Sequence, residues 1–160
     1  MGPPLEKAVF SRLESSPQQF FEILPDDWSV EIGPAWPGYE ETASVYVIRY
    51  LEKIIGGGIL FSTPSPDVSY YDTAGLSLLM KWFENGYAYI AYFFVLEKYR
   101  GMGLGMKWLT ELFRAYPAKG FFLTIDDLSL VGFYEKAGFD LKGEIILKDH
   151  KEWLLVRGPE

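Results

Sequence analysis

Arginine and glycine stand at the spacing R-x-x-G-x-G in the stretch YRGMGLGMKW, where Arg100, Gly103 and Gly105 carry the pattern. Glycine lets the backbone approach an anion closely, and N–H groups at the start of a helix then point at that anion. Two other phosphate-binding motifs do not match. A dinucleotide fingerprint needs glycine where Met106 stands, and a P-loop needs Ser or Thr after the lysine, whereas Lys107 precedes Trp108. The stretch is therefore either an anion-binding turn or a turn whose glycines serve tight packing.

Other chemistry-bearing residue types are scarce. The chain has no cysteine and one histidine, so it offers no disulfide framework, no thiol nucleophile and no clustered metal-ligand pattern. Its net charge of −7 argues against a nucleic-acid partner, which would need a basic face. We expect chemistry without a metal ion.

Strands and helices on either side must position the glycine stretch. The apolar run YAYIAYFFVL predicts a strand before it, and MKWLTELFRAY predicts a helix after it. A second unit follows, in which GFFLTI predicts a strand and LSLVGFYEKAG a short helix that stops at Gly138. Each unit thus runs from a strand into a helix.

The remaining patterns frame these two units in one α+β domain over residues 1–160. ASVYVIRYLE and KIIGGGILFS predict one hairpin, and GEIIL and KEWLLV predict another. Leu5, Val9 and Leu13 recur at helical spacing, SPQQFFEIL predicts a short helix, and WSVEI predicts a strand. We expect N-terminal helices within residues 1–27, and we interpret residues 63–86 as an insertion between the third and fourth strands.

The two units together resemble the GNAT (GCN5-related) N-acetyltransferase family. Its signature is a strand, R/Q-x-x-G-x-G/A, a helix, a strand and then FYxKxGF, which FYEKAGF matches from Phe133 to Phe139. The resemblance covers roughly Val45 to Val156, and IIGGGILF is similar to the family's third strand. It implies a GNAT-like fold, with a mostly antiparallel mixed sheet that splays between strands 4 and 5 and is flanked by helices.

The resemblance implies acetyl-CoA as the co-substrate. Pantetheine would lie in the splayed gap against the backbone of Val95 and Leu96. Backbone N–H groups would cradle the pyrophosphate. They belong to Arg100, Gly101, Met102, Gly103, Leu104, Gly105 and Met106. Lys136 would meet the nucleotide phosphates, or it is simply solvated.

Tyr134 matches the family tyrosine near the cofactor sulfur, so the resemblance implies a general acid that protonates the departing thiolate. The alternative is an aromatic ring packed on an amphipathic helix. Where the family often has an asparagine this chain has Asp127, which could contact the cofactor or acceptor or simply cap the following helix.

Some members of the family that the chain resembles use a glutamate on the fourth strand as general base, but the predicted strand YAYIAYFFVL has no carboxylate. The open candidates are a water chain or one of four carboxylates, which are Glu84, Asp72, Asp126 and Asp127. We expect His150, in the turn KDHKE, to be solvent-exposed.

The acceptor would meet the stretch SPDVSYYD within residues 63–86. Tyr70, Tyr71 and Asp72 offer aromatic faces and a carboxylate, which suit a cationic amine. The alternative is that the segment only covers apolar sheet, since Leu76 and Leu79 fall on one helical face.

The function implied by the resemblance is transfer of an acetyl group from acetyl-CoA to a primary amine, by direct attack in a ternary complex. The amine would belong to a small molecule or a peptide. The alternative is a catalytically idle acyl-CoA-binding or regulatory domain on the same fold. No secretory signal and no apolar run of about 18 residues is visible. We therefore expect a cytoplasmic protein without membrane contact, and a homodimer is left open.

Overall fold

The computed structural model describes residues 4–160, whose strands form one seven-stranded sheet in the order β1-β2-β3-β4-β5-β7-β6. Neighbouring strands are antiparallel except β4 and β5, which run parallel. The strands are β1 Val9–Leu13, β2 Ala43–Tyr50, β3 Lys53–Phe61, β4 Ala88–Val95, β5 Phe121–Ile125, β6 Asp140–Ile146 and β7 Lys151–Arg157.

Helices flank both faces of this sheet. They are α1 Pro4–Lys7, α2 Gln18–Phe21, α3 Asp26–Ala35, α4 Thr73–Glu84, α5 Leu104–Ala115 and α6 Val131–Lys136. Short 3₁₀ turns cover Trp36–Gly38, Pro66–Val68, Glu97–Tyr99 and Leu128–Leu130. The core forms two clusters of buried residues, one centred on α5 and the other beneath α2, α3 and α4.

Strands β4 and β5 separate after two paired positions. Ala88 faces Phe121 and Tyr89 faces Phe122, and the described pairing stops there. Just beyond, β4 has a bulge opposite β3, where Tyr92 adopts a φ of 54°. A bulge bends its strand and increases the local twist. The sheet therefore opens on one side of β4, which confirms the splay expected from the resemblance.

Close packing against β3 holds helix α5 at the open end of the sheet. A Cβ on Gly58 would lie 2.8 Å from Cζ2 of Trp108, so the indole covers the bare backbone of that glycine. The Trp108 Nε1 donates to the Tyr46 carbonyl at 3.0 Å, and its ring stacks on Phe93 with centroids 4.7 Å apart. The glycine-rich third strand thus serves packing, and this packing places the start of α5 beside the end of β4.

Helix α4 begins at an acidic cap and ends before a glycine. The Asp72 carboxylate accepts from the Gly75 N–H at 2.8 Å, and the chain leaves the helix through Gly86 at a φ of 80°. Leu79 is fully buried, and Phe83 packs against Phe122. This half of residues 63–86 therefore covers the sheet, as one of the two interpretations expected.

Two N-terminal expectations are wrong. Residues Val9–Leu13 form β1 rather than a helix, because pairing with β2 along its full length outweighs the helical spacing of the leucines and valine. The stretch WSVEI lies in α3 rather than in a strand. Asp26 and Asp27 occupy the first turn of this helix, where acidic groups are favoured by its dipole, and Ile32 is buried at its inner face.

Candidate functional site

The glycine turn before α5 requires glycine at two positions for conformational reasons. Gly101 and Gly103 adopt φ values of 78° and 79°, a region that residues with a side chain rarely enter. Gly103 is the residue before α5, so the free N–H groups of the first helical turn follow it directly. These groups and the helix dipole favour an anion at this point.

A cavity of about 660 Å³ lies against this turn; we name it the glycine-loop cavity. Its walls are mostly apolar and combine the end of β4, the glycine turn and α6. The lining residues are Phe93, Phe94, Val95, Tyr99, Arg100, Gly101, Gly103, Leu104, Gly105, Met106, Leu130, Phe133 and Tyr134.

Most of the predicted cofactor residues lie at this cavity, but three do not line it. Leu96 donates its N–H to the Ile55 carbonyl at 2.9 Å, so this group is already used in the sheet. Met102 is exposed at the outer side of the turn, and Lys136 is exposed at the end of α6. Of the predicted strand pair, Val95 alone lines the cavity. Its carbonyl already accepts from Arg100 Nε at 2.8 Å.

Tyr134 lies at the meeting point of two cavities. It lines the glycine-loop cavity and also a second one in the gap between β4 and β5. Its ring packs edge-on against Phe133 and Phe139, with centroids 5.0 and 5.7 Å away. Burial raises the pKa of the Tyr134 hydroxyl above its usual value, which keeps it protonated at neutral pH. The hydroxyl is thus a protonated group on a residue that lines both cavities.

The second cavity, of about 510 Å³, is rich in carboxylates, and we name it the acidic cavity. It is formed by α3, the 3₁₀ turn at Pro66–Val68, the splayed ends of β4 and β5, and the start of β7. Five carboxylates line it: Asp27, Glu31, Asp67, Asp126 and Glu152. His150 is the one basic side chain among its lining residues in the described part of the chain.

Asp67 is held by hydroxyl groups deep in the acidic cavity. Tyr89 donates to Asp67 Oδ2 at 2.9 Å, and Ser65 donates to Oδ1. Burial, aided by the nearby charge of Glu31 and opposed by the two hydroxyl hydrogen bonds, raises the pKa of Asp67 to about 6. A carboxyl with this pKa can take and release a proton near neutral pH.

Glu152 occupies the other side of the acidic cavity and is also held by hydroxyls. Tyr71 donates to its Oε1, and Tyr70 lies 3.4 Å from Oε2. His150 Nε2 lies 2.9 Å from the same Oε2. Contacts with Asp149 and Glu152 raise the pKa of His150. His150 is solvent-exposed as expected, with 40% of its side chain accessible, and it is also one of the residues that line the cavity.

The structure separates the predicted acceptor and base candidates. Tyr70 and Asp126 line the acidic cavity, and Tyr71 donates to Glu152 in its wall. Asp72 caps α4 and Glu84 is exposed at the end of that helix. Asp127 is exposed and accepts from the Ser129 N–H at 2.9 Å, an arrangement that lowers its pKa and matches the capping alternative.

Sequence reasoning missed Glu31, Asp67 and Glu152 as site residues. Asp67 lies within the stretch SPDVSYYD that was singled out, and a carboxylate in the apolar strand KEWLLV was a signal for Glu152. Glu31 carried no such signal, because its segment was expected to form a strand. Among residues 4–160, no group of three or more His, Asp or Glu side chains has the geometry of a metal site. No helix in the same range is both long and apolar enough to cross a membrane.

The model of the acetyltransferase (GNAT) family matches residues 12–139. A search of curated proteins finds no match. Solved structures with the same fold include a GNAT family acetyltransferase from Elizabethkingia anophelis with acetyl-CoA bound. It is 13% identical, with a TM-score of 0.62 over 96% of this chain and 99% of that one.

Two further structures share the fold. IAA acetyltransferase from Bacillus cereus is 19% identical, with a TM-score of 0.62 over 94% of this chain and 98% of that one. Naa50 from Arabidopsis thaliana, in complex with the bisubstrate analogue CoA-Ac-MVNAL, is 15% identical, with a TM-score of 0.59 over 95% of this chain and 99% of that one.

Proposed function

The chain belongs to the acetyltransferase (GNAT) family, and on that premise we propose that it is an acetyl-CoA-dependent N-acetyltransferase. A primary amine of a small molecule or peptide attacks the thioester directly while both substrates are bound. The observation that carries this proposal is the position of Tyr134, whose side chain lines the glycine-loop cavity and the acidic cavity together. A group that protonates a departing thiolate has to stand where the cofactor and acceptor meet.

The glycine-loop cavity fits acetyl-CoA. Its turn has two glycines in left-handed conformation followed by free N–H groups, which suits a pyrophosphate. The Arg100 side chain is exposed nearby and adds a positive charge. Its apolar wall along Phe93, Phe94 and Val95 suits the pantetheine arm. In this arrangement the thioester would reach Tyr134.

The acceptor amine must lose protons during the reaction. An alkyl ammonium with a pKa of about 10.4 costs roughly 4.6 kcal/mol to deprotonate at pH 7. Asp67 is the carboxylate we assign as the base, because its pKa of about 6 leaves it ionised at neutral pH. One ammonium proton passes to Asp67. A second ends on the sulfur through Tyr134, as the C–N bond forms and the C–S bond breaks.

A chain of hydrogen bonds offers a route by which Asp67 returns its proton to solvent. The hydroxyl oxygen of Tyr89 lies 3.0 Å from Thr124 Oγ1, and the hydroxyl oxygen of Tyr71 lies 3.2 Å from the same atom. Tyr71 contacts Glu152, which contacts the partly exposed His150. Each hydroxyl can accept on one side and donate on the other, so a proton can move along the chain.

The test is release of coenzyme A thiol from acetyl-CoA across a panel of primary amines, with the reaction lacking amine as the hydrolysis control. Amine-dependent thiol release and an acetylated product support the proposal. Acetyl-CoA binding without turnover of any amine would favour the idle binding domain. Absence of acetyl-CoA binding would overturn both functions.

A further inference from the structure

We propose that the acidic cavity selects an acceptor with a second cationic nitrogen, an alkyl diamine or longer polyamine. This inference rests on the proposed function and names the substrate class of the same site. It depends on the charges that line the cavity and on the way each carboxylate is held.

Negative charge in the acidic cavity greatly exceeds positive charge. Five carboxylates line it against one histidine, and no lysine or arginine is among its lining residues within 4–160. Glu152 is 7% exposed, so the medium around it screens charge poorly. Glu152 has His150 beside it, whereas the half-buried Glu31 and Asp67 have no basic side chain in contact among the residues that the structure describes, so a bound cation would relieve the cost of their charges. The cavity therefore favours cationic ligands over neutral or anionic ones.

Hydroxyl donors hold three of the five carboxylates in place without neutralising them. Tyr92 donates to Glu31, Tyr89 donates to Asp67, and Tyr71 donates to Glu152. A hydroxyl group satisfies one oxygen of a carboxylate but leaves its net charge unchanged. Positive charge from a ligand is thus still needed after all these contacts are made.

A single ammonium group on the acceptor cannot supply this positive charge, because the attacking nitrogen must be neutral when it forms the new bond. The proton of that nitrogen passes to Asp67, so the pair formed by Asp67 and the amine carries no net charge during attack. His150 contacts Glu152. Glu31 remains without a cation among residues 4–160. A second ammonium on the acceptor would remain charged and pair with Glu31.

The surroundings of Glu31 suit an alkyl ammonium. Trp28 lies edge-on to Tyr92 with centroids 6.2 Å apart, and both rings line the cavity beside Glu31. Asp27 adds a second carboxylate on the same helix. Aromatic faces next to carboxylates attract an ammonium group through cation–π and ionic contacts together. We assign the second cation to Glu31, Trp28 and Tyr92.

The experiment compares four acceptors with the same reactive amine and a similar five-carbon chain but different far ends. Cadaverine ends in an ammonium, pentylamine in a methyl group, aminopentanol in a hydroxyl and δ-aminovalerate in a carboxylate. We expect kcat/KM for cadaverine to exceed that for pentylamine by about tenfold or more, which a single ionic contact of this kind can supply. Aminopentanol should follow pentylamine, and δ-aminovalerate should be the poorest acceptor.

A variant locates the second cation. Glu31→Gln should lower the ratio of the two kcat/KM values, cadaverine over pentylamine, by about five- to tenfold. Glu40→Gln removes the same charge from an exposed loop and should leave that ratio unchanged. Added salt should lower the ratio in the wild type and have less effect in Glu31→Gln.

The outcomes separate this inference from the proposed function. If all four acceptors are acetylated at similar rates, or if Glu31→Gln keeps the wild-type ratio, the diamine inference is wrong while the acetyltransferase stands. If no amine is acetylated, calorimetric titration of cadaverine into the protein with acetyl-CoA decides. If cadaverine binds and Glu31→Gln weakens that binding, the cation site stands without the reaction. If cadaverine does not bind, the diamine inference and the proposed function are both overturned.

Discussion

Gly105 packs against the ring of Phe133: a Cβ on Gly105 would stand 3.2 Å from Cζ of Phe133. The two sequence motifs therefore touch, because Gly105 belongs to the glycine turn and Phe133 begins FYEKAGF. Tyr134 follows Phe133 in the chain and packs against its ring. The close approach at Gly105 thereby sets the position of the tyrosine between the two cavities.

Gly105→Val should disturb this contact. The added methyl groups push Phe133 outward and shift Tyr134, so we expect kcat to fall about tenfold and stability to fall by about 1–3 kcal/mol from overpacking. Initial rates and denaturant unfolding measure both effects. Gly132→Ala, which has open space around its Cβ, is the control. Unchanged kcat in Gly105→Val would show that the contact does not position Tyr134.

Gly103→Val should weaken acetyl-CoA binding by tenfold or more, because a branched side chain at the start of α5 blocks the approach of the pyrophosphate. The φ of 79° also strains the variant, at a cost of about 1–3 kcal/mol. Gly86→Val shares this strain, with a φ of 80° at the end of α4, but lies away from the cavity. Calorimetry on both variants separates the two effects, and equal affinity in the two would remove the pyrophosphate from this turn.

Tyr134→Phe keeps the ring packing and removes the proton donor. We expect kcat to fall by about 10²–10⁴ if protonation of the thiolate depends on this hydroxyl, with little change in acetyl-CoA affinity. Pre-steady-state kinetics should establish that chemistry limits kcat. A wild-type kcat under that condition would reduce Tyr134 to packing.

The pKa of Asp67 predicts the acid side of the activity profile. Wild-type kcat/KM for a cationic amine should rise with pH up to about 6, where Asp67 becomes ionised, and level off above it. Asp67→Asn should lose this rise and fall about 10²–10⁴ in rate. The profile is measured by thiol release, and a variant that keeps the wild-type rate and profile would exclude Asp67 as the base.

The same pKa predicts a stability effect of opposite direction. The Asp67 pKa lies above its usual value of 3.8, so between pH 4 and about 6 the folded state binds more protons than the unfolded state. Stability is then lost as pH rises through this range. Asp67→Asn removes that loss, so denaturant unfolding should find the variant more stable than wild type at pH 7 and the difference smaller at pH 4. An equal difference at both pH values would contradict the shifted pKa.

Tyr71 and Asp72 are adjacent in the chain but should behave differently. Tyr71→Phe removes a hydroxyl that donates to Glu152 and should raise the acceptor KM several-fold without changing acetyl-CoA affinity. Asp72→Ala removes the cap of α4 and should cost about 0.5–2 kcal/mol of stability with little change in KM. Steady-state kinetics and thermal unfolding distinguish them, and a raised KM in Asp72→Ala alone would reverse the assignment.

Local patterns were sufficient to predict the turn and the helix that border the glycine-loop cavity. The glycines at 101 and 103 are needed because the chain must turn at positive φ before a helix, and that need is local. Hairpins, the cap at Asp72 and the stop at Gly138 are also decided by a few neighbouring residues. The family resemblance singled out Tyr134 because its motif, FYEKAGF, is also a run of neighbouring residues.

Tertiary structure decided the acidic cavity, which we propose as the acceptor site. Glu31, Asp67 and Glu152 lie on three distant segments, which meet because a bulge in β4 opens the sheet and α3 covers the opening. Spacing along the chain contains no sign that these segments meet. Pairing with β2 is likewise a tertiary effect, and it makes Val9–Leu13 a strand despite the helical spacing of its apolar residues. Burial, which raises the pKa of Asp67, exists only after the segments have packed together, since a carboxyl group loses its contact with water only in the folded protein.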